Sequence, residues 1–183
     1  CVQAAEQKMM AKPTARGYLP IDGIALYDAA VKALVFGADS EPVTSGRVAT
    51  VQAIGGTGGL KIGADFLKKL SPNAKVLISD PSWENHRALF TNAGFEVGTY
   101  AYYDAEKRGV NFDGMLESLK AAAPGTIVVL HACCHNPTGY DITAAQWDQV
   151  IEVLKAGKLT PFLDMAYQGF GHGIQEDGAV IGK

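Results

Sequence analysis

Between Gly125 and Gln146 the chain has room for little except strand, loop and helix. Thr126-Ile127-Val128-Val129-Leu130 is short, uncharged and β-branched, as in a strand buried on both faces of a parallel sheet. It runs into His131-Ala132-Cys133-Cys134-His135-Asn136-Pro137-Thr138-Gly139, a loop holding two histidines, an asparagine and a Pro-Thr-Gly turn. Thr143-Ala144-Ala145-Gln146 then reads as a capping box, opening an amphipathic helix to Lys155. In open parallel sheets, ligands bind beyond the carboxyl ends of the strands, which is where this loop sits.

The same alternation extends through the chain. Val2 to Lys12 is weakly helical and is broken by Pro13; Gly17 to Gly23 has turn chemistry. Ile24 to Phe36 shows helical spacing up to Gly37, and Glu41 to Gly46 reads as a loop. Arg47 to Ile54 is a strand candidate, followed by the glycine loop Gly55-Gly56-Thr57-Gly58-Gly59 and a helix over Leu60 to Leu70. Lys75 to Ser79 is the next strand; Ser82 is placed to cap a helix from Trp83 to Ala93. Phe95 to Tyr100 is a strand, Tyr102 to Gly109 a polar loop, and Asn111 caps a helix through Ala122. Gly157 ends the helix begun at Thr143, and Leu159 to Leu163 is the last strand. Strands alternating with helices predict right-handed βαβ units in a three-layer α-β-α fold of the α/β class with a mostly parallel sheet.

Chemistry-bearing residues collect just after the strands. Glycines before a helix let a phosphate approach the free N–H groups of the first turn, with the Thr57 hydroxyl beside them. The spacing fits neither the dinucleotide nor the nucleoside-triphosphate loop. Trp83 stands at a helix start, where an indole can stack on a flat ring, although packing between helix and sheet is its commoner use. His86 lies one turn further on. Asp164 ends a strand and needs a donor or cation in the same mouth, unless it is an ordinary turn aspartate. Tyr167 follows. Together these residues suit a small, flat, phosphorylated ring with one basic nitrogen.

Composition narrows the partners. With 48% hydrophobic and 19% charged residues, 183 positions supply a sizeable core, and a net charge of −3 steers the chain toward neither nucleic acid nor an anionic membrane. No apolar run is long enough to span a bilayer. Cys1, Cys133 and Cys134 make a poor disulfide framework and suit a reduced cytoplasm. The start on Cys1 and the stop at Lys183 read as cuts within a longer protein.

Gly56-Thr57-Gly58, Ser79-Asp80-Pro81-Ser82-Trp83-Glu84-Asn85-His86, His135-Asn136-Pro137-Thr138-Gly139 and Asp164-Met165-Ala166-Tyr167-Gln168-Gly169-Phe170 resemble the aspartate/aromatic aminotransferases, fold-type I enzymes using pyridoxal 5′-phosphate. The resemblance covers nearly the whole chain. It implies amino transfer between an aspartate or aromatic amino acid and 2-oxoglutarate, with amino acids and 2-oxo acids as substrates and no metal. Gly56 and Thr57 would hold the phosphate, and Trp83 would stack on the pyridine. Asn136 and Tyr167 would donate to its phenolic oxygen, and Asp164 would pair with its nitrogen. His131 would orient Asp164, with His86 a weaker candidate for that task. Tyr18 would reach the phosphate of a neighbouring subunit, implying a homodimer. Residues 1–183 would be the central part of the cofactor-binding large domain, without the N-terminal arm or the C-terminal small domain. The family's serine-rich Schiff-base lysine motif and carboxylate-gripping arginine have no match here, so the segment alone is expected to be inactive. A non-catalytic phosphate- or cofactor-binding module and another fold-type I enzyme, such as a lyase, remain alternatives at this stage. A serine-rich lysine motif beyond Lys183 separates the first, and use of an α-keto acid acceptor the second.

Overall fold

A computed structural model describes residues 1–183. Its strands are β1 (Lys75–Asp80), β2 (Glu96–Ala101), the two-residue β3 (Tyr103–Asp104) and β4 (Gly109–Val110), β5 (Ile127–His131) and β6 (Thr160–Asp164). The helices are α1 (Val2–Ala11), α2 (Ala25–Phe36), α3 (Glu41–Thr44), α4 (Gly55–Leu70), α5 (Glu84–Asn92), α6 (Phe112–Lys120), α7 (Ala144–Gly157) and α8 (Ile174–Gly178). A 3-10 turn over Ala179–Gly182 ends the chain.

Four strands make a parallel sheet in the order β2-β1-β5-β6. From β1 the chain steps outward to β2, then returns across β1 to β5 and continues to β6 on the other side. The reversal opens a crevice beyond the carboxyl ends of β1 and β5. β5, at the centre, shows why both faces must be covered. Ile127 and Val129 pack with Ala64, Val76, Ile78, Phe90 and Phe95, under α4 and α5. Val128 and Leu130 face the other way, against Met115, Leu119, Trp147 and Val150 of α6 and α7. All four β5 residues are essentially inaccessible, each stabilising the fold by about 1.5–3 kcal/mol through burial. The three-layer α-β-α expectation therefore holds, with Tyr100 adding a tie: its hydroxyl donates to the Val129 carbonyl at 2.9 Å.

Several local expectations are corrected. Arg47 to Ile54 is not a strand: it joins no ladder, and its backbone N–H bonds are isolated ones, Arg47 N to the Pro42 carbonyl and Gln52 N to the Asp22 carbonyl. An extended segment becomes a strand only with a partner backbone beside it. The Gly55 to Gly59 stretch is the first turn and a half of α4 rather than a loop before it. Burial of Leu60 and Ala64 offsets the helical cost of glycine, and Gly63 lets the Phe162 ring approach so closely that a Cβ would sit 2.8 Å from it. Ser82 caps nothing, since α5 begins at Glu84 without a side-chain cap. The loop from Tyr102 to Gly109 is folded back by the β3–β4 ladder, and Tyr102 is buried. Gly157 lies inside α7, whose left-handed terminal residue is Lys158 (φ 52°). The capping box at Thr143 and the Asn111 cap stand as read, Asn111 Oδ1 accepting from Gly114 N at 3.1 Å.

Candidate active site

Three strand ends and one helix start converge on the crevice. β1 delivers Trp83 and His86, β5 delivers His131 to Asn136, β6 delivers Asp164 and Tyr167, and α4 presents its N-terminus at Gly56. Gly56, Trp83, His131, Asn136, Asp164 and Tyr167 line one pocket of about 140 Å³. A larger cavity, about 720 Å³, is walled mainly by apolar residues of α2, α7 and β6 and lies apart from this chemistry.

Asp164 is the anchor. Its side chain is largely buried, and its Oδ2 lies 2.7 Å from His86 Nε2. A carboxylate only accepts, so Nε2–H is the donor. Ser82 Oγ lies 2.9 Å from the other ring nitrogen, Nδ1. The two residues are four apart in sequence, Ser82 lying two residues before the start of α5. Asp164 Oδ1 makes no bond within the protein.

His131 does not take the orienting role expected of it. Neither of its ring nitrogens has a partner. His131 and Asp164 are register partners on adjacent parallel strands. Their side chains project side by side on the α5 face, whereas His86 approaches from across that face. His131 instead packs edge-on against His86, ring centroids 5.0 Å apart, and 4.3 Å from His135. Burial, then the neighbouring His86, pushes its pKa down to about 4.

His135, which the sequence marks only as one of the loop's two histidines, fixes the loop. Its Nε2 meets Ser79 Oγ at 2.9 Å, its Nδ1 meets Thr138 Oγ1 at 2.8 Å, and its ring stacks on Tyr102 at 3.9 Å. Burial drives its pKa to about 3, so it works as a neutral bridge. Asp141 closes the turn, accepting from the N–H groups of Cys134 (2.7 Å) and His135 (2.8 Å). The sequence signal for these two was weak: an aspartate two residues past a Pro-Thr-Gly turn and a histidine beside an asparagine. Only the Ser79 partner of His135 lies on another strand; Asp141 and Thr138 act within the loop itself.

The helix start is open. No side chain caps α4, and a Cβ at Gly56 would meet nothing within 4 Å. Thr57, exposed, is in the same first turn. Trp83 is half-buried and edge-on to His86 at 5.5 Å. Tyr18 is not brought to the pocket; it is fully exposed in the stretch between α1 and α2.

Comparison with known proteins agrees with this arrangement. The family described as "Aminotransferase class I and II" matches residues 1–180. The chain is 61% identical over 180 residues to an aspartate aminotransferase of Pseudomonas aeruginosa, covering 98% of this chain and 45% of that protein. It is 52% identical over 181 residues to an aromatic-amino-acid aminotransferase of Escherichia coli, covering 98% and 46%. A solved aromatic-amino-acid aminotransferase from Burkholderia pseudomallei, covalently bound to pyridoxal phosphate, superposes with a TM-score of 0.95 at 64% identity, covering 99% of this chain and 45% of that one. The chain thus spans less than half the length of these relatives.

Proposed function

The chain belongs to the class I and II aminotransferases, and from that premise we propose that the full-length protein transfers an amino group between an aspartate or aromatic amino acid and 2-oxoglutarate, using pyridoxal 5′-phosphate in the Asp164 pocket. The observation that carries the reading is the Asp164 carboxylate, oriented through Oδ2 by His86 and free at Oδ1 inside a pocket walled by an indole, an amide and a phenol.

The residues suit the cofactor at each of its polar positions. Gly56 and Thr57, at the uncapped start of α4, offer N–H groups and a hydroxyl to the phosphate, where the helix dipole also favours an anion. Trp83 would cover one face of the ring. Asn136 and Tyr167 would donate to its phenolic oxygen. Asp164 Oδ1 would accept a hydrogen bond from the protonated ring nitrogen, and His86, itself bonded to Ser82, would keep that carboxylate aimed. Bound there, the cofactor supplies an electron sink for departure of the substrate α-proton. Asp164 would make the sink effective by holding the ring nitrogen protonated.

On this reading residues 1–183 form the central part of the large domain, in keeping with a chain spanning 45–46% of its relatives' length. Tyr18, exposed and remote from its own pocket, reaches the phosphate of a second subunit, and the working protein is a homodimer. No helix is long and apolar enough to cross a membrane. We assign the protein to the cytoplasm, where its free cysteines stay reduced.

The test is a half-reaction. The full-length protein, loaded with pyridoxal phosphate, is mixed with glutamate, aspartate, tyrosine or phenylalanine while the cofactor absorbance is followed. Bleaching, reversed by 2-oxoglutarate, is the expected result. Silence with all four amino acids overturns the proposal.

A further inference from the structure

Cys133 and Cys134 are adjacent in the chain, and adjacent side chains of an extended segment point to opposite sides. Here they do not. Cys134 adopts a left-handed backbone (φ 50°), pinned by the Asp141 carboxylate on its N–H. The turn brings both sulfurs to Asp177, on α8, and the two Sγ atoms and a carboxylate oxygen lie within 4.8 Å of one another.

We propose that Cys133, Cys134 and Asp177 form a binding site for a soft divalent metal ion, zinc or cadmium, beside the candidate cofactor pocket. Two sulfurs and one carboxylate are a donor set such ions prefer, and a solvent molecule completes four-coordination. Zinc–sulfur bonds of about 2.3 Å place tetrahedral donors about 3.8 Å apart, so the cluster closes on an ion by moving its members about 1 Å or less.

The carboxylate is prepared for the role. Asp177 accepts from Gly169 N and Gly171 N through Oδ2 and from His172 N through Oδ1. These N–H groups hold its carboxyl below the usual range and leave Oδ1 a free lone pair. An entry path exists as well: Cys133 and Asp177 line a cavity of about 400 Å³ shared with Asp141, His172 and Glu176. Both cysteines are free thiols, and a thiol takes up such an ion as its thiolate. Binding replaces two S–H bonds with two metal–sulfur bonds and releases two protons to solvent; no electron is transferred. The proposal is independent of the amino-transfer reading, but occupancy is felt at the pocket. Cys133 is part of the pocket wall, and Cys134 Sγ lies 3.8 Å from the Tyr167 carbonyl.

The experiment is cadmium titration of the reduced full-length protein, with the cofactor pocket filled by pyridoxal phosphate to shield His86, His131 and Asp164. The readouts are the ultraviolet thiolate-to-cadmium charge-transfer band and calorimetric proton release. One ion should bind with a Kd of about 1 µM or tighter, releasing close to two protons. Cys133→Ser and Cys134→Ser should each weaken binding about 100-fold or more, with Cys1→Ser unchanged. Asp177→Asn should weaken it about tenfold, and Asp177→Glu should recover part of the loss. Cys134 is only half-buried, so its serine variant is the decisive one should Cys133→Ser fail to fold. No band in the wild type, a wild-type band in Cys134→Ser, or a band lost only in Cys1→Ser overturns the site.

Discussion

His86 reaches across one face of the sheet to donate to Asp164 Oδ2 at 2.7 Å, while His131, the register partner of Asp164 on the adjacent strand, leaves both ring nitrogens unbonded. The carboxylate thus takes its orientation from a helix packed against the sheet. Its strand neighbour supplies only a wall.

Replacing Asp164 with Ala removes the charge that keeps the ring nitrogen protonated. Turnover of the full-length protein should fall about 100-fold or more, roughly 3 kcal/mol in barrier, by the scale of losing a preorganised charge partner. Asp164→Glu should retain more activity than Asp164→Ala. Steady-state kinetics of the two variants decide the matter, and a near-wild-type rate for alanine would remove Asp164 from the site.

The contrast between the histidines gives a second expectation. His86→Ala should reduce turnover about 10- to 100-fold, the usual effect of losing the partner that orients a ligand, and should shift the pH dependence of the bound cofactor's absorbance. His131→Ala should do less on both counts. Equal losses, or a larger loss at His131, would return the orienting role to the strand neighbour.

Acid should destabilise the protein through His131 and His135. Their folded pKa values, about 4 and about 3, lie below the ordinary histidine value near 6.5. Above about pH 6.5 both rings are neutral in folded and unfolded chains. Below it the unfolded chain takes up protons that the folded one refuses, so stability drops as pH falls from about 6.5 through the folded values. His131 alone accounts for on the order of 3 kcal/mol. Denaturant unfolding at a series of pH values should show this slope, and His131→Asn should flatten it. An unaltered slope in that variant counts against the buried neutral ring.

Gly63→Ala tests the contact between α4 and β6. In an exposed helix the change would stabilise by about 0.5–1 kcal/mol. Here the new Cβ would sit 2.8 Å from the Phe162 ring. Overpacking of this kind typically costs about 1–3 kcal/mol, so the net effect should be destabilising. Thermal unfolding reads the sign directly; a raised Tm would mean that the ring yields.

Much of this was legible in the residues. β1 and β5 announce themselves as short, largely apolar runs with turn chemistry at their ends, and β2 and β6 as short stretches placed between helices. Asn136, Trp83, Asp164 and Tyr167 were readable because strand ends must meet in a parallel sheet. The misreadings share a physical origin, for they concern what a segment meets in space. Arg47 to Ile54 has strand composition but no neighbouring backbone. The glycines of α4 have loop composition but lie at the start of a helix packed against the sheet. Whether His86 or His131 holds Asp164 depends on direction of approach, which spacing does not encode.

The His86–Asp164 bond joins residues 78 apart, and Ser79–His135 joins residues 56 apart. Both require non-local strand pairing to be complete, and closing long loops is entropically costly until that pairing rewards it. As the chain is synthesised, His86 has only the nearby Ser82 to bond until β6 has been made and docked. The pocket is therefore among the last features to form. Occupancy of it certifies that the sheet has been assembled in the right order, so the ligand doubles as a quality mark on the finished fold.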